Sequence, residues 1–104
     1  MEKKIADIRM QGNEVLVLGN LSFYNVMSVY EKSLSQLDAC PELNFNFSEL
    51  QSSDSSGLAL IMEWIRLAKQ RNKPIRFSHL SDDLLSIASV SGLIKLIPKA
   101  ETKA

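Results

Sequence analysis

The chain has 104 residues, a length that supports one domain with a single modest core. Apolar residues make up 45% of it and charged residues 23%, close to the averages of globular proteins, so neither a disordered nor a fibrous class is favoured. Twelve basic residues balance twelve acidic ones and no cluster of Lys or Arg stands out, so we expect no nucleic-acid partner.

Residues that support metal binding or nucleotide chemistry are scarce. The single cysteine, Cys40, excludes an internal disulfide, and the single histidine, His79, excludes the usual zinc clusters. The four glycines lie too far apart for a phosphate-binding loop. No stretch approaches the roughly 18 apolar residues of a membrane span, and the N-terminus lacks the apolar region of a secretion signal. We therefore expect a cytoplasmic chain without a cofactor.

The N-terminal half predicts a hairpin followed by a helix. Residues 5–11 and 14–19 are rich in strand formers and flank a Gln-Gly-Asn turn. Residues 23–37 predict an amphipathic helix with Ser22 as its N-cap. Its apolar positions recur every three or four residues: Phe23, Val26, Met27, Tyr30, Leu34 and Leu37.

The middle of the chain alternates strands with a long helix. Residues 43–48 alternate strictly between apolar and polar side chains, which predicts a third strand. The polar segment 52–57 predicts a loop, and 58–71 predicts a helix that ends before Pro74. Residues 74–77 predict a short fourth strand.

The C-terminal part predicts a third helix, which begins after Ser81 with Asp82 and Asp83 in its first turn and ends near Gly92. The apolar segment 93–97 leaves a fifth strand open.

The order of these elements predicts an α/β domain. We expect a mostly parallel sheet of four to five strands, with an antiparallel N-terminal hairpin and about three helices packed on it. The domain is expected to span residues 1–98. Residues 99–104 have little apolar content and are expected to form a flexible tail.

The sequence Asp54-Ser55-Ser56-Gly57-Leu58 follows a predicted strand and begins a predicted helix. Taken alone, it is typical of a helix N-terminus whose free N–H groups are capped by Asp or Ser oxygens. A second segment, Val-Ser-Gly-Leu-Ile-Lys-Leu-Ile at 90–97, follows the third predicted helix.

Together the two segments resemble the signature of the STAS family, named for sulfate transporters and anti-sigma factor antagonists. Its members have Asp-Ser-Ser/Thr-Gly-Leu after a strand and Ser-Gly-Leu-x-Lys-Ile/Leu after the third helix. The predicted element order matches the STAS fold over nearly the whole chain.

Within the family, residues 57–69 are most similar to the small STAS subunits of Mla-type phospholipid ABC transporters of Gram-negative bacteria. This resemblance implies a non-catalytic accessory subunit that binds the cytosolic ATPase and supports outer-membrane lipid asymmetry. It also implies a cytoplasmic location at the inner membrane, held there by the transporter complex.

The resemblance assigns roles to the two serines of the motif. The serine that a kinase phosphorylates in anti-sigma factor antagonists corresponds to Ser56, and the hydroxyl associated with function in transporter subunits corresponds to Ser55. Both are candidate phosphorylation or switch residues. With Asp54 and Gly57 they form the expected partner-binding loop.

Two positions depart from the family pattern. Many members have an aspartate in the strand before the motif, where this chain has Asn46, and an acidic residue after the second strand, where it has Ser22. The missing carboxylates favour a module that binds its partner independently of phosphorylation.

The long helix carries two apolar stripes. The first suits packing on a sheet and comprises Leu58, Ile61, Met62, Ile65 and Ala68. The second comprises Leu60, Trp64 and Leu67. Two interpretations follow: a broad core helix, or a partner-binding helix in which Trp64, with Leu60 or Leu67, is an exposed anchor. The second predicts that Trp64→Ala weakens ATPase binding without unfolding the domain.

Three alternatives differ in function. An anti-sigma factor antagonist would bind an anti-sigma factor or a serine kinase and be controlled by phosphorylation. A nucleotide-sensing STAS domain would bind a nucleotide. A hydrolase would need Ser55 or Ser56 with His79 and Asp54, but the Gly-x-Ser-x-Gly elbow of α/β-hydrolases is absent, so we do not expect an enzyme.

Overall fold

The computed structural model describes residues 5–98. Its elements in chain order are β1 (Ala6–Gln11), β2 (Glu14–Leu21), α1 (Val26–Asp38), β3 (Leu43–Asn46), β4 (Leu50–Ser53), α2 (Ser55–Gln70), β5 (Ile75–Ser78), α3 (Asp82–Val90) and a 3₁₀ turn (Ile94–Leu96). The tail expected at 99–104 and the start of the expected domain at 1–4 lie outside the described residues.

The sheet is mixed and has five strands. β1 and β2 form the antiparallel hairpin, and the order β1-β2-β3-β5 continues with parallel pairs. Gly12 in the hairpin turn has a φ of 61°, a conformation that glycine adopts without a steric cost. The predicted α/β class, the N-terminal hairpin and the parallel remainder are confirmed.

β4 occupies part of the segment that the sequence predicts as a loop. After a turn at 47–49 the chain resumes alongside β2, so that Gly19 pairs with Leu50 and Leu21 with Ser53. The prediction failed here because the segment 50–53, Leu-Gln-Ser-Ser, is short and polar and lacks the β-branched residues typical of strands.

Helix α1 begins three residues later than predicted, and Asn25 rather than Ser22 is its N-cap residue. The side chains of Ser22 and Asn25 instead accept backbone N–H groups in the turn that precedes the helix. The Ser22 N–H donates to Asn25 Oδ1 at 2.9 Å, and Ser22 Oγ accepts from the Tyr24 N–H at 3.3 Å. These hydrogen bonds hold residues 23–25 in a turn before the helix starts.

The other helix boundaries follow local capping chemistry. α2 begins at Ser55, three residues before the predicted start, because Asp54 is its N-cap. α3 begins directly after Ser81 as predicted, and Ser81 is its N-cap, since its Oγ accepts from the Leu84 N–H at 3.1 Å. The segment 93–97 forms the 3₁₀ turn and not a fifth strand.

The core lies between the sheet and the helices, with Trp64 at its centre. Its indole is fully buried and stacks on Phe45, with ring centroids 4.0 Å apart. Phe45 in turn stacks on Phe77. The Trp64 Nε1–H donates to Ser33 Oγ at 2.9 Å, and Ser33 donates to the Tyr30 carbonyl, so both buried polar groups are satisfied.

The burial of this helix face corrects one sequence-based interpretation. Trp64 is 0% exposed, and Leu60 and Leu67 are buried with it, so the three do not form an exposed anchor. α2 packs against both the sheet and α1, which requires a wider apolar face than one sheet contact does. The alternative interpretation, a broad core helix, is correct. None of the helices within residues 5–98 is long and apolar enough to cross a membrane.

Candidate functional site

The Asp-Ser-Ser-Gly segment lies at the edge of the sheet where parallel strands β2 and β4 end. Leu21 at the end of β2 pairs with Ser53 at the end of β4. The Asp54 N–H continues this pairing by donating to the Leu21 carbonyl at 3.4 Å. The loop before α1 and the start of α2 therefore lie side by side.

Asp54 connects these two segments through its carboxylate. Oδ1 accepts the Ser56 N–H at 2.8 Å, which caps α2 as the sequence predicts. Oδ2 accepts the Phe23 N–H at 3.2 Å, across 31 positions of sequence. Ser53 Oγ donates to the Asp54 carbonyl at 2.8 Å and fixes the backbone that precedes the helix.

The two serines differ in accessibility. Ser55, the first residue of α2, is exposed, and Ser56 is half-buried. Both stand at a helix N-terminus, where the dipole and the free N–H groups favour a negative charge. A phosphate on either serine would gain from the dipole and would also lie near the Asp54 carboxylate, which repels it.

Gly57 has a steric role. It is buried, and a Cβ at this position would lie 2.0 Å from Ser53 Oγ and 3.3 Å from Leu84 Cδ2. Glycine therefore allows the first turn of α2 to approach β4 and α3 closely. This residue shapes the loop and presents no side chain to a partner.

An exposed apolar cluster, which the helical spacing of the sequence does not predict, adjoins the loop. Phe23 is 75% exposed, Tyr24 92% and Met27 63%. The helical spacing assigns Phe23 and Met27 to the buried face of α1, but the helix starts only at Val26, so Phe23 lies in the preceding turn. The two adjacent aromatic residues directly after a strand were the available signal.

The carboxylate missing from β3 has a local explanation. Asn46 Nδ2 donates to Glu14 Oε1 at 3.1 Å, and its Oδ1 accepts the Ser48 N–H at 2.8 Å. An aspartate at this position could not donate a hydrogen bond to Glu14, and its carboxylate would repel the Glu14 carboxylate. Asn46 therefore contributes to the structure of the sheet and the turn that follows it.

The groups of the hydrolase alternative are not assembled for catalysis. His79 makes no hydrogen bond with Ser55 or Ser56 among the described residues, and both Asp54 oxygens accept backbone N–H groups. Within residues 5–98 no group of three His, Cys, Asp or Glu side chains is arranged to hold a metal ion.

A family model described as "Mlab, STAS domain" matches residues 6–98. The chain belongs to the STAS family. STAS domains are generally non-catalytic binding modules, and membership points to a protein partner. A comparison with curated protein sequences gives no match.

Solved structures share the STAS fold. The unphosphorylated anti-sigma factor antagonist SpoIIAA has a TM-score of 0.69 and 22% identity, over 93% of this chain and 89% of that chain. A putative anti-sigma factor antagonist from Thermotoga maritima has a TM-score of 0.70 and 12% identity, over 91% and 85%. A serine-to-glutamate variant of RsbS from Moorella thermoacetica has a TM-score of 0.68 and 18% identity, over 92% and 86%. At these identities the likeness concerns the fold.

Proposed function

We propose that this STAS domain is the accessory subunit of an Mla-type ABC transporter and binds its cytosolic ATPase. The observation that carries the proposal is the match of the Mlab STAS family model to residues 6–98. In this role the domain is cytoplasmic, lies at the inner membrane through the complex, and supports phospholipid transport and outer-membrane lipid asymmetry.

The loop from Asp54 to Gly57 is the proposed docking site. Its geometry supports this role, because Ser55 is exposed at the first turn of a helix whose other faces are fixed by packing. Hydrogen bonds also hold the loop in place, since Asp54 binds both the N-terminus of α2 and the turn before α1. A rigid site loses little conformational entropy on binding.

Ser55 and Ser56 are the proposed switch residues. A phosphate adds about two negative charges at the centre of this surface. In a closely packed interface such charges cost desolvation, and they lie near the Asp54 carboxylate, which repels them, so we expect them to weaken docking. Docking itself needs no phosphate, which agrees with the absence of the two carboxylates at Ser22 and Asn46.

Co-purification from the native host tests the proposal. The tagged wild-type chain is compared with a Ser55→Glu/Ser56→Glu variant, and bound proteins are identified by mass spectrometry. Recovery of an ABC ATPase and its permease with the wild type, and their loss with the variant, is the expected result. Recovery of a sigma-regulating serine kinase would instead establish the antagonist function and make Ser56 the phosphorylation site.

A further inference from the structure

We infer that Phe23, Tyr24 and Met27 form the anchoring part of the docking surface, and that the partner presents apolar side chains flanked by Arg or Lys. These three residues are called the aromatic patch below. The inference deepens the proposed function and rests on it, because it adds residues and a partner chemistry to the same site.

The aromatic patch consists of large side chains that are mostly exposed to solvent. Tyr24 is 92% exposed and Phe23 75%, and their rings contact each other edge to face with centroids 5.7 Å apart. Large apolar side chains that cluster on a surface generally mark an interaction site. Aromatic residues are also the most frequent contributors of binding energy at protein interfaces.

The aromatic patch is held in a fixed position. The hydrogen bonds from the Ser22 N–H to Asn25 Oδ1 and from the Tyr24 N–H to Ser22 Oγ define the turn that carries both rings. Asp54 binds the Phe23 N–H and fastens the turn to the N-terminus of α2. Preorganised aromatic side chains pay a small entropic cost on binding, which suits them to act as anchors.

The aromatic patch is continuous with the exposed face of α2. A groove of about 330 Å³ between α1 and α2 is lined by Met27 and Tyr30 on one side and by Ala59 and Glu63 on the other. Ser55 lies one helical turn before Ala59 on the same exposed face. The candidate switch serine and the aromatic patch therefore belong to one surface.

The charges that border this surface select the partner. Asp54 and Glu63 lie on α2 or directly before it, and Glu31 is exposed one turn after Met27 on α1. Arg66 is paired with Glu63, Lys32 is paired with a carboxylate of β1, and Lys69 lies in the last turn of α2, at the end of the helix away from the aromatic patch, so among the described residues carboxylates outnumber basic side chains beside the patch. The excess of carboxylates favours a partner segment that carries Arg or Lys.

The same charges disfavour two other occupants. A second copy of this chain would bring the same carboxylates against one another, and like charges at an interface are unfavourable. An anionic lipid surface would be repelled for the same reason. A basic and apolar protein segment satisfies both the rings and the carboxylates.

Site-specific photo-crosslinking in host cells tests the inference. The photoreactive residue p-benzoylphenylalanine replaces Tyr24, Ser55 or, as a control, Val90, which is 90% exposed at the C-terminal end of α3. We expect positions 24 and 55 to form adducts with the ATPase and position 90 to form none. The cross-linked ATPase peptide should contain apolar residues together with Arg or Lys.

The other outcomes distinguish the inference about the aromatic patch from the proposed function. An ATPase adduct at position 55 without one at 24, an equal adduct at 90, or a peptide without basic residues overturns the inference and leaves the proposed function standing. An adduct at 24 with a different protein overturns the proposed function, and upholds the inference only if that peptide is basic and apolar. No adduct at 24 or 55 overturns both.

A binding measurement with purified ATPase adds a quantitative test. Phe23→Ser and Tyr24→Ser should each weaken binding by about tenfold or more, whereas Val90→Ser should not change it. Binding of the wild type should weaken as NaCl rises from about 50 to 300 mM, because the charges are screened. Equal affinities for all variants, or binding that salt does not affect, would contradict the inference. Circular dichroism confirms that the variants are folded.

Discussion

Asp54 and Phe23 are joined by a hydrogen bond of 3.2 Å from the Phe23 backbone N–H to the Asp54 carboxylate, although 31 positions separate them in sequence. The other oxygen of the same carboxylate caps α2. One side chain therefore fixes both the helix N-terminus that carries the two serines and the turn that carries the aromatic patch.

Replacement of Asp54 should reduce both stability and binding. Asp54→Ala removes the cap of α2 and the acceptor for Phe23, and we expect a loss of about 1–2 kcal/mol in the free energy of unfolding. Asp54→Asn keeps an acceptor oxygen and should lose less. Urea unfolding measures the stability, and affinity for the ATPase measures the binding.

Ser81→Ala is the matched control for Asp54. It removes the cap of α3, where Ser81 Oγ accepts the Leu84 N–H. The loss of stability should be similar, with no change in affinity once the protein is folded. If Ser81→Ala weakened ATPase binding as much as Asp54→Ala, the effect on binding would reflect general destabilisation and not the loop.

Trp64→Ala should unfold or strongly destabilise the domain. Its loss leaves a large cavity beside Phe45, and such truncations cost about 3–5 kcal/mol. Ser33→Ala should cost about 1–3 kcal/mol, because it leaves the buried indole N–H without its acceptor. Urea unfolding followed by circular dichroism measures both. A stable Trp64→Ala variant with weakened ATPase binding would restore the anchor interpretation.

Gly57→Ala should destabilise the domain despite the better helix propensity of alanine. Propensity favours alanine by about 1 kcal/mol, whereas the added Cβ would lie 2.0 Å from Ser53 Oγ and forces a displacement that costs about 1–3 kcal/mol. The same substitution in a Ser53→Ala background should cost less. Equal costs in the two backgrounds, measured by urea unfolding, would show that the contact with Ser53 is unimportant.

The ion pair between Asp7 on β1 and Lys32 on α1 predicts a pH dependence. The hydrogen bond from Lys32, with a second from the Ile8 N–H, lowers the pKa of Asp7 below its ordinary value. The pair therefore stabilises the fold above about pH 4, and the contribution is lost as the pH falls through the lower pKa of the folded state.

The size of this effect is small, because both side chains are about half exposed. We expect Asp7→Asn to lower the free energy of unfolding by less than about 1 kcal/mol at pH 7. The difference from wild type should shrink in acid and in high salt. A difference that persists at about pH 2, where the carboxyl is protonated in both states, would contradict the assignment to the ion pair.

The sequence predicted most of the fold because the long helix, the hairpin and β3 have strong periodicity. It also predicted the start of α3 after Ser81, and the start of α2 within three residues of its observed position, because capping by Ser and Asp is a local interaction. It missed β4, whose pairing with β2 depends on a neighbour distant in sequence. Local propensity contains little information about such pairing.

The candidate site was only partly predictable for the same reason. The motif from Asp54 to Gly57 is contiguous, so it can be recognised from the sequence alone. The exposure of Phe23 and the burial of Trp64 depend on where α1 begins and on how α1 packs against α2. Hydrophobic spacing alone placed Phe23 on the buried face of α1 and left Trp64 open between the core and a partner-binding face, because spacing does not distinguish these two kinds of face.

The central claim is that the start of α2 binds the ATPase of an Mla-type transporter, and the most direct test is the affinity between the two purified proteins. Ser55→Glu is compared with Ser86→Glu, an exposed serine of α3. Glutamate is favourable in the first turn of a helix, so Ser55→Glu should stay folded.

If this claim is correct, the wild type and Ser86→Glu bind the ATPase with equal affinity, and Ser55→Glu weakens binding by about tenfold or more. Failure of the wild type to bind, or equal affinities for all three proteins, would contradict it.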